Sequence, residues 1–419
     1  MNKAKFKLIF NGLRCLMFLL ISLWSGMAIA KATPSQYMFV GEADVWWANP
    51  QTANTISVLK LDYPSGNLTA AQQLSQLTNQ PSWLLFNDKR NLLYSANADG
   101  SGIISSFQVD PQTRELTFKN NGPSGGVVPV YLVMDAEEKF LLSANYDSGT
   151  ISSVALQVDG SIGNITDHIS TASSFAAELP GLDANRQASS HPHMIALDPQ
   201  KKFVWVADLG LDRLIPYQFD SATGQFNLVD SNAYKLTHDD KEGNPIAVGP
   251  RHFVFDNKGR HLYVANELDN TVSVLNYHRG KLQEIQHLSL LPESTLPADC
   301  PAPAAAEIVI DKKGKFIYVS NRLDCPQHPA VNKEFNSIAI FAINKSDGTL
   351  SKKTIQSAGV IYPRNFNIDP TGKFLYVGGE LSNDIRAFHV KKDGSLIPAK
   401  HEPIPVHAPS CIIFSNSVF

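Results

Sequence analysis

The stretch PRHFVFDNKGRHLYVAN, residues 250–266, decides the fold. It begins at a proline, runs as a short apolar strand, turns at Asp256 and returns as a second apolar strand that ends at Asn266. Apolar alternation on both sides of an Asp-, Asn- and Gly-rich turn is typical of a β-hairpin. Five further segments follow the same pattern, at residues 81–97, 129–145, 192–208, 304–321 and 363–379.

The spacing of these hairpins predicts how they are arranged. They begin 46 to 63 residues apart, if the incomplete last copy that starts at Pro409 is included. After each hairpin come a third alternating strand, as at residues 271–277 and 337–343, and a fourth, more polar one. A period of this length is typical of four-stranded blades arranged around a central axis.

The two ends of the chain complement each other. Residues 408–414, APSCIIF, supply one inner strand and nothing more, whereas the strands that begin near Tyr37, Thr55 and Asn67 lack an inner partner. Pairing the two ends completes a blade and leaves no free sheet edge. The sequence therefore predicts an all-β, seven-bladed β-propeller over residues 37–419, with its first blade closed by strands from both termini.

The first thirty residues read as a secretory signal peptide. Four basic residues precede an apolar run at residues 15–24, and a small-x-small cleavage site follows at residues 28–30. A membrane anchor is the alternative if cleavage does not occur, although the run is short for a stable span. We therefore predict a periplasmic or secreted protein that has no membrane span after cleavage.

Charge narrows the range of partners. Removing residues 1–30 takes away four positive charges and no negative one, so the formal net charge falls from -3 to -7. Nucleic acid is not an expected partner, because phosphate binding requires a basic surface. We expect a monomer.

Three cysteines remain after cleavage. Cys300 precedes the first strand of the sixth blade and Cys325 follows its second strand, so both lie in loops on one face. We expect a disulfide between them, and two free buried thiols are the alternative. Cys411 lies in an inner strand and is expected to be a free core thiol.

Propeller topology predicts where ligands bind. The start of the first strand and the end of the second lie at one mouth of the central channel, so residues at these points converge there. Blades two and three place Ser82, Trp83, Val130 and Tyr131 at this mouth. Blades four to seven contribute the charged and imidazole groups His191, His193, Arg251, His252, Glu267, Glu307, Arg322, Arg364 and Glu380.

This composition favours an anionic ligand, since guanidinium groups bind carboxylates in bidentate fashion and stay charged at any working pH. A network of ion pairs that only ties the blades together is the alternative. No metal and no cofactor is expected, because arginines dominate the mouth and no Gly-rich phosphate loop is present.

Other polar residues are expected to have structural roles. The histidines in turns and outer strands, among them His238 and His278, are expected to be solvated. Asparagines at the ends of second strands and aspartates in the inner turns are expected to bond nearby backbone. These residues are Asn97, Asn145, Asn266, Asn321, Asp135, Asp198, Asp256, Asp311 and Asp369.

The mouth residues and their surroundings resemble the lactonase family of seven-bladed propellers, which includes 6-phosphogluconolactonase and the carboxy-cis,cis-muconate lactonising enzyme. The similar segments are SHPHMIALDPQKKFVWVADLGLDRL (190–214), GPRHFVFDNKGRHLYVANELDNTVSVL (249–275), AEIVIDKKGKFIYVSNR (306–322) and PRNFNIDPTGKFLYVGGELSNDI (363–385). The resemblance implies an enzyme that breaks or forms a lactone C–O bond without a metal ion.

The resemblance also implies roles for individual residues. His193, Glu267 and Arg251 would be catalytic, with Glu267 or His193 as acid or base. Arg322 would bind a small anionic or sugar lactone. His252, Arg364, His191 and Glu307 are expected to bind it too, because they lie at the same mouth.

Three features differ from the family pattern. Asn365 stands where the family commonly has His, residues 325–335 form an extra loop at the mouth, and export separates the protein from phosphorylated sugars. The sequence therefore favours an exported lactonase, with a lactone-forming cyclase and a non-catalytic binding propeller as the alternatives.

Overall fold

A computed structural model describes residues 36–48, 52–62, 65–75, 78–229 and 232–415. The predicted signal peptide lies outside these residues. The described strands form seven antiparallel sheets of four strands in blade order, two of which gain a short fifth strand. We label the strands of each blade A to D from the axis outward. The all-β, seven-bladed prediction is thus confirmed.

The strand bounds follow, in the order A, B, C, D. Blade 1 has Pro409–Phe414, Gln36–Glu42, Thr55–Leu61 and Leu68–Ser75; blade 2 has Pro81–Asn87, Leu92–Asn97, Ile103–Val109 and Leu116–Pro123; blade 3 has Pro129–Met134, Phe140–Asn145, Thr150–Leu156 and Ile162–Ser170. Blade 4 has Pro192–Leu197, Val204–Asp208, Arg213–Asp220 and Gln225–Leu228; blade 5 has Pro250–Phe255, His261–Asn266, Thr271–His278 and Lys281–Ser289. Blade 6 has Ala304–Ile310, Phe316–Arg322, Ser337–Ile343 and Leu350–Ser357; blade 7 has Asn365–Ile368, Phe374–Gly379, Asp384–Val390 and Leu396–Pro398.

A few short elements lie outside this pattern. Strands Tyr234–Lys235 and Ile404–Pro405 extend blades 4 and 7 along strand C, and His238–Asp239 pairs with Pro245–Ile246 in a separate hairpin. A 3-10 turn covers Ala176–Glu178 and one α-helix covers Pro329–Phe335. Within the described ranges, no helix combines the length and apolar character needed to cross a bilayer.

The C-terminal strand closes the ring. It pairs antiparallel with strand B of blade 1, with Phe39 opposite Ile413 and Val40 opposite Ile412. The strands A of neighbouring blades contact one another in cyclic order through all seven blades. Blade 1 also packs closely on blade 2, because a Cβ atom at Gly41 would lie 2.2 Å from the carbonyl oxygen of Pro81. The closed ring explains why strand B is buried along most of its length while strand D alternates between exposed and half-buried residues.

The aspartates of the A–B turns bond the turn backbone as predicted. Asp135 Oδ1 accepts hydrogen bonds from the backbone N–H groups of Lys139 (2.7 Å) and Phe140 (2.8 Å). Asp198 makes the same two bonds in blade 4. These bonds fix the end of the propeller that lies opposite the mouth.

The prediction for the strand-B asparagines was wrong. Asn97 Nδ2 donates to Ser105 Oγ at 2.8 Å, a side chain of strand C rather than nearby backbone. Asn145 and Asn266 bond serines at the equivalent places in blades 3 and 5. Ala339 occupies that place in blade 6, and the buried Asn321 amide has no hydrogen-bond partner among the described residues. The register between strands B and C decides which side chain lies near each asparagine, and therefore whether the bond forms.

Cys300 and Cys325 are joined by a disulfide, with their Cα atoms 5.4 Å apart. The bond ties the two mouth loops of blade 6 to each other. Together with Phe335 of the α-helix, Cys325 belongs to a small apolar cluster, so the extra loop has its own core. Cys411 is buried and is the free thiol of the described part of the chain.

His238 is buried, contrary to the expectation that it is solvated. Its Nδ1 contacts a carboxylate oxygen of Asp269, and its Nε2 lies 3.0 Å from Glu284 Oε1. Burial opposes a charged ring, but the two carboxylates outweigh it and raise the pKa of His238 to about 9. A buried imidazolium therefore links the loop before blade 5 to that blade.

We expect His238→Gln to destabilise the protein mainly at low and neutral pH. The stabilisation from a raised pKa is complete below the unfolded value of 6.5 and is lost as the pH rises through about 9. Urea unfolding should show a loss of about 2 kcal/mol at pH 6 and a much smaller loss at pH 10. His278→Gln, at an exposed position of the same blade, is the control, and equal losses at both pH values would contradict the assignment.

Candidate active site

Irregular pairing of strands A and B positions the side chains of the mouth. In blades 4 and 5 the register shifts between Pro192 and Met194 and between Pro250 and His252. The residues inside these shifts are His193 and Arg251. A β-bulge bends the strand and redirects the side chain of the extra residue. The register also shifts at Ser82, at Val130 and at Ser410. In blade 6 the shift lies between Ala305 and Ile308 and includes Glu307.

These bulged residues surround one cavity on the axis. About 200 Å³ is empty when the opening to solvent is counted, but only about 10 Å³ is open to the centre of a water molecule, so the enclosed part holds about one water. The lining residues are Ser82, Trp83, Val130, His193, Arg251, His252, Glu307, Arg364, Asn365 and Ser410. Five of the eight residues predicted as catalytic or substrate-binding therefore lie on this wall, namely His193, Arg251, His252, Glu307 and Arg364.

Glu267 is surrounded by three guanidinium groups. Its Oε2 lies 2.9 Å from Arg251 Nε and 2.9 Å from Arg322 Nη2, and its Oε1 lies 2.6 Å from Arg186 Nη2. Burial favours the neutral acid, but Arg322, Arg186 and Arg251 outweigh it and hold the pKa of Glu267 well below its usual range. Glu267 is therefore a carboxylate at every working pH.

Arg251 connects this ion cluster to the cavity. Its side chain is 2% exposed, and its Nη1 donates to the carbonyl oxygen of Ala306 at 2.9 Å. Burial and the charges of Arg322 and Arg364 lower the pKa of Arg251 from its usual value. The group stays protonated at neutral pH, so it presents a fixed positive charge to the cavity.

Arg322 and His191 lie behind or beside the cavity wall. Arg322 Nη2 donates to the Ala305 carbonyl at 3.1 Å, and the guanidinium lies 5.2 Å from the centre of the Tyr362 ring. The ring of His191 stacks on Tyr146 with centroids 4.4 Å apart. Both side chains contact other protein groups and do not line the cavity.

Arg364 differs from the other arginines of the mouth. It lines the cavity, and its guanidinium forms no ion pair or hydrogen bond with any described residue. Glu380 is a buried carboxyl group whose charge interacts with Arg364. Its pKa is raised by burial, which outweighs the opposing effect of Arg364, and its Oε2 has no hydrogen-bond partner in the described chain. Arg364 is therefore the cation available to a ligand.

A second polar chain crosses the cavity floor. His252 Nδ1 lies 3.1 Å from Glu307 Oε1, and Asn365 Nδ2 donates to Glu307 Oε2 at 2.5 Å. Asn365 Oδ1 accepts a bond from the backbone N–H of Ile412 at 2.8 Å, which links blade 7 to blade 1. Burial lowers the pKa of His252 to about 4. The Glu307 carboxylate opposes this shift, and the positive charge of Arg251 adds to it. Asn365, where the family commonly has His, therefore serves as a fixed donor.

His193 is the titratable group best placed to accept a proton. It is buried, and its ring centroid lies 5.0 Å from that of His252. Burial and the positive charge of Arg251 lower the pKa of His193 well below 6.5, so the ring is neutral at pH 7. Its Nδ1 has no hydrogen-bond partner within the described residues.

Several residues of the mouth were not predicted from the sequence. Arg186 lies in the long loop before blade 4, outside the repeat, and its Nη2 contacts Glu267 and lies 3.5 Å from the Tyr146 hydroxyl. Tyr146 directly follows Asn145, so its place at the end of strand B was a usable signal. Arg186 offered none, because loop residues have no fixed spacing.

The extra loop at residues 325–335 does not line the cavity. Asn336, at the end of the helix, accepts a bond from the backbone N–H of Tyr362 at 2.9 Å. Tyr362 covers Arg322, so the loop supports the mouth from behind.

Comparison with known proteins agrees with this architecture. Residues 39–414 match the family described as Lactonase, 7-bladed beta-propeller. The chain therefore belongs to this family, and it is an enzyme of the lactonase class. A 6-phosphogluconolactonase of Bacillus subtilis is 29% identical over 362 residues, which cover 86% of this chain and 94% of the relative. A 6-phosphogluconolactonase of Formosa agariphila is 28% identical over 355 residues, which cover 84% and 91%.

Solved structures show the same fold. The periplasmic gluconolactonase PpgL of Pseudomonas aeruginosa aligns with a TM-score of 0.76 at 22% identity, covering 91% of this chain and 99% of that chain. At that identity the similarity concerns the fold alone.

We expect Glu267→Gln to lower stability by about 3 kcal/mol, because the buried Arg251 and Arg322 and the more exposed Arg186 lose their counter-ion. Citrate or sulfate should then raise the melting temperature of the variant more than that of the wild type, since either anion replaces the lost charge. Differential scanning calorimetry with each anion tests this. Glu334→Gln, on the exposed side of the helix, is the control. Equal responses in all three proteins would show that the cluster does not depend on Glu267.

Proposed function

We propose that this protein is an exported lactonase that hydrolyses a small sugar or carboxylated lactone with side chains alone, His193 acting as general base beside Arg251 and Arg364. The observation that supports this most is the cavity wall, where a buried neutral imidazole and two arginines face the same space. Hydrolysis of a lactone requires a base for water and positive charge for the oxyanion, and these groups supply both.

Arg251 and Arg364 divide the task of binding negative charge. Arg251 is held by Glu267 and by the Ala306 carbonyl, so it is fixed before the substrate arrives. A fixed donor that faces the carbonyl oxygen stabilises the oxyanion without reorganisation. The Arg364 guanidinium has no hydrogen bond or ion pair among the described residues, so it can bind a carboxylate or a ring hydroxyl of the substrate. Two such cations also make the cavity unfavourable for a metal ion.

His193 would take the proton of the attacking water and return it to the ring oxygen when the C–O bond breaks. As a neutral imidazole it has one nitrogen that accepts a proton. Its low pKa in the empty site has an electrostatic cause, namely burial and the arginines around it. An anionic substrate on Arg364 cancels part of this charge and raises the pKa of His193 toward the working range.

Glu267 acts in this proposal as a positioning residue. A carboxylate held by three guanidinium groups is a weak base, because protonation would break three ion pairs. Its function is to fix Arg251 against the cavity while Arg186 and Arg322 complete the cluster.

Export supports a substrate without phosphate. The N-terminal thirty residues have the charge and hydropathy pattern of a signal peptide. Phosphorylated sugars are scarce outside the cytoplasm, so an unphosphorylated aldonolactone or a lactone with a carboxylate fits the compartment better.

We expect His193→Gln and Arg251→Lys each to lower kcat/KM by about 100-fold or more. Gln retains the size of the side chain but takes up no proton, and Lys retains the charge but loses the planar donor group. Acid release from a panel of lactones, followed in a pH-stat, is the measurement. His278→Gln serves as the matched control. Full activity in both site variants would eliminate this catalytic assignment.

The pH profile provides an independent test. A general base with a lowered pKa keeps its activity until the pH falls well below 6.5, so the acid limb of kcat/KM should lie there. Arg364→Gln removes one of the charges that lower the pKa of His193, so its acid limb should shift to higher pH. A limb at the same pH in both proteins would indicate that another group is titrating.

A further inference from the structure

Two exposed tryptophans lie on the mouth face of the propeller. Trp46 is 81% exposed and Trp47 is 42% exposed, in the loop that follows strand B of blade 1. They are the only aromatic residues among the large, exposed apolar side chains of the described chain. Exposed indoles of this size usually mark a binding surface, because their apolar area remains hydrated until a ligand covers it.

The tryptophans connect to the active site through Tyr362. The rings of Trp47 and Tyr362 meet edge to face with centroids 5.5 Å apart. Tyr362 also contacts the guanidinium of Arg322, which lies 5.2 Å from the centre of its ring. Arg322 in turn lies 2.9 Å from Glu267, which fixes Arg251. An aromatic surface thus continues from solvent to the ion cluster behind the cavity.

The geometry of the three rings suits a ring-shaped ligand. Trp46 and Trp47 are inclined at 89° with centroids 5.4 Å apart, and Trp47 and Tyr362 are inclined at 88°. Perpendicular rings form a corner with two walls that a ring-shaped ligand can contact. Tyr362 is held in place, since its N–H donates to Asn336 Oδ1 at 2.9 Å and its carbonyl oxygen accepts a bond from the N–H of Arg364 at 2.8 Å.

The cavity itself is too small for a lactone ring. Only about 10 Å³ between residues such as His193, Arg251 and Arg364 is open to the centre of a water molecule, which is the space of about one water. A lactone therefore has to approach these groups from the mouth. Trp46 and Trp47 lie on that face, where a substituent of the lactone extends.

We propose that Trp46 and Trp47 form a subsite for a second ring, so that the preferred substrates are lactones with a glycosyl or an aryl substituent. Both kinds of ring present a flat apolar face that stacks on an indole. This inference rests on the proposed lactonase function and adds to it the class of substrate.

Steady-state kinetics with three lactones test the subsite. The probes are glucono-δ-lactone with one ring, a galactosyl-gluconolactone and a phenyl-substituted δ-lactone. Trp46→Ala and Trp47→Ala should raise KM for at least one two-ring lactone about ten-fold, and should leave kcat/KM for the single-ring lactone within about two-fold. The two-ring probe that responds identifies a sugar or an arene as the natural ring.

Matched variants make the result specific. Trp47→Tyr retains a stacking face and should retain most of the affinity for the responsive lactone. Val158→Ala changes a fully exposed apolar residue in a turn of blade 3 at the opposite end of the propeller, and it should have no effect. If the tryptophan variants treat one-ring and two-ring lactones alike, the subsite is refuted while the lactonase function stands.

Fluorescence distinguishes a failure of the proposed lactonase function from a failure of the tryptophan subsite. If the wild type hydrolyses none of the three lactones, the proposed function fails, and tryptophan quenching by the two-ring lactones then tests the subsite alone. Quenching that is lost in Trp46→Ala and Trp47→Ala would support it, and no quenching would overturn it. Tryptophan-dependent sedimentation with phospholipid vesicles, without lactone quenching, would also overturn it.

Discussion

Closure of the ring by the strand Pro409–Phe414 is the constraint on which the rest of the structure depends. This strand pairs with Gln36–Glu42 and contacts the inner strands of blades 2 and 7. A closed ring has no free inner edge, so the seven inner strands hold one another at fixed positions around the axis. Without this pairing, residues such as Arg251 and Arg364, which are 113 positions apart in the chain, would have no fixed distance between them.

On this fixed ring, the site results from local irregularity. The bulges in strands A remove single residues from regular pairing and direct them to the axis, and these include His193 and Arg251. The regularly paired strands form the blades, and the residues at the β-bulges line the cavity. The carboxylate of Glu267 pairs with three guanidinium groups, whereas Arg364 has no ion-pair partner within the part of the chain that the structure describes.

Much of this was predictable from the sequence, and the exceptions have physical reasons. Mouth positions followed from the hairpin repeat, since a residue just after the leading proline occupies the same place in every blade. The repeat does not reach Arg186 or Trp47, which lie in loops of irregular length, and it gave no indication that His238 is buried. The hydrogen bonds of Asn97 and Asn145 were assigned to backbone, because a partner on strand C depends on pairing register that a single strand does not reveal.

The sequence by itself determined the number of blades, the closure between the termini and the end of the propeller at which charged residues gather. Each of these depends on a pattern repeated along the chain, which local preferences are sufficient to specify. Tertiary structure alone decided which of those residues face the cavity and which pair with one another. Arg322 pairs with Glu267, whereas Arg364 lines the cavity and forms no ion pair with another described residue. That division depends on distances of a few ångströms between blades, and such distances exist only once the ring has closed.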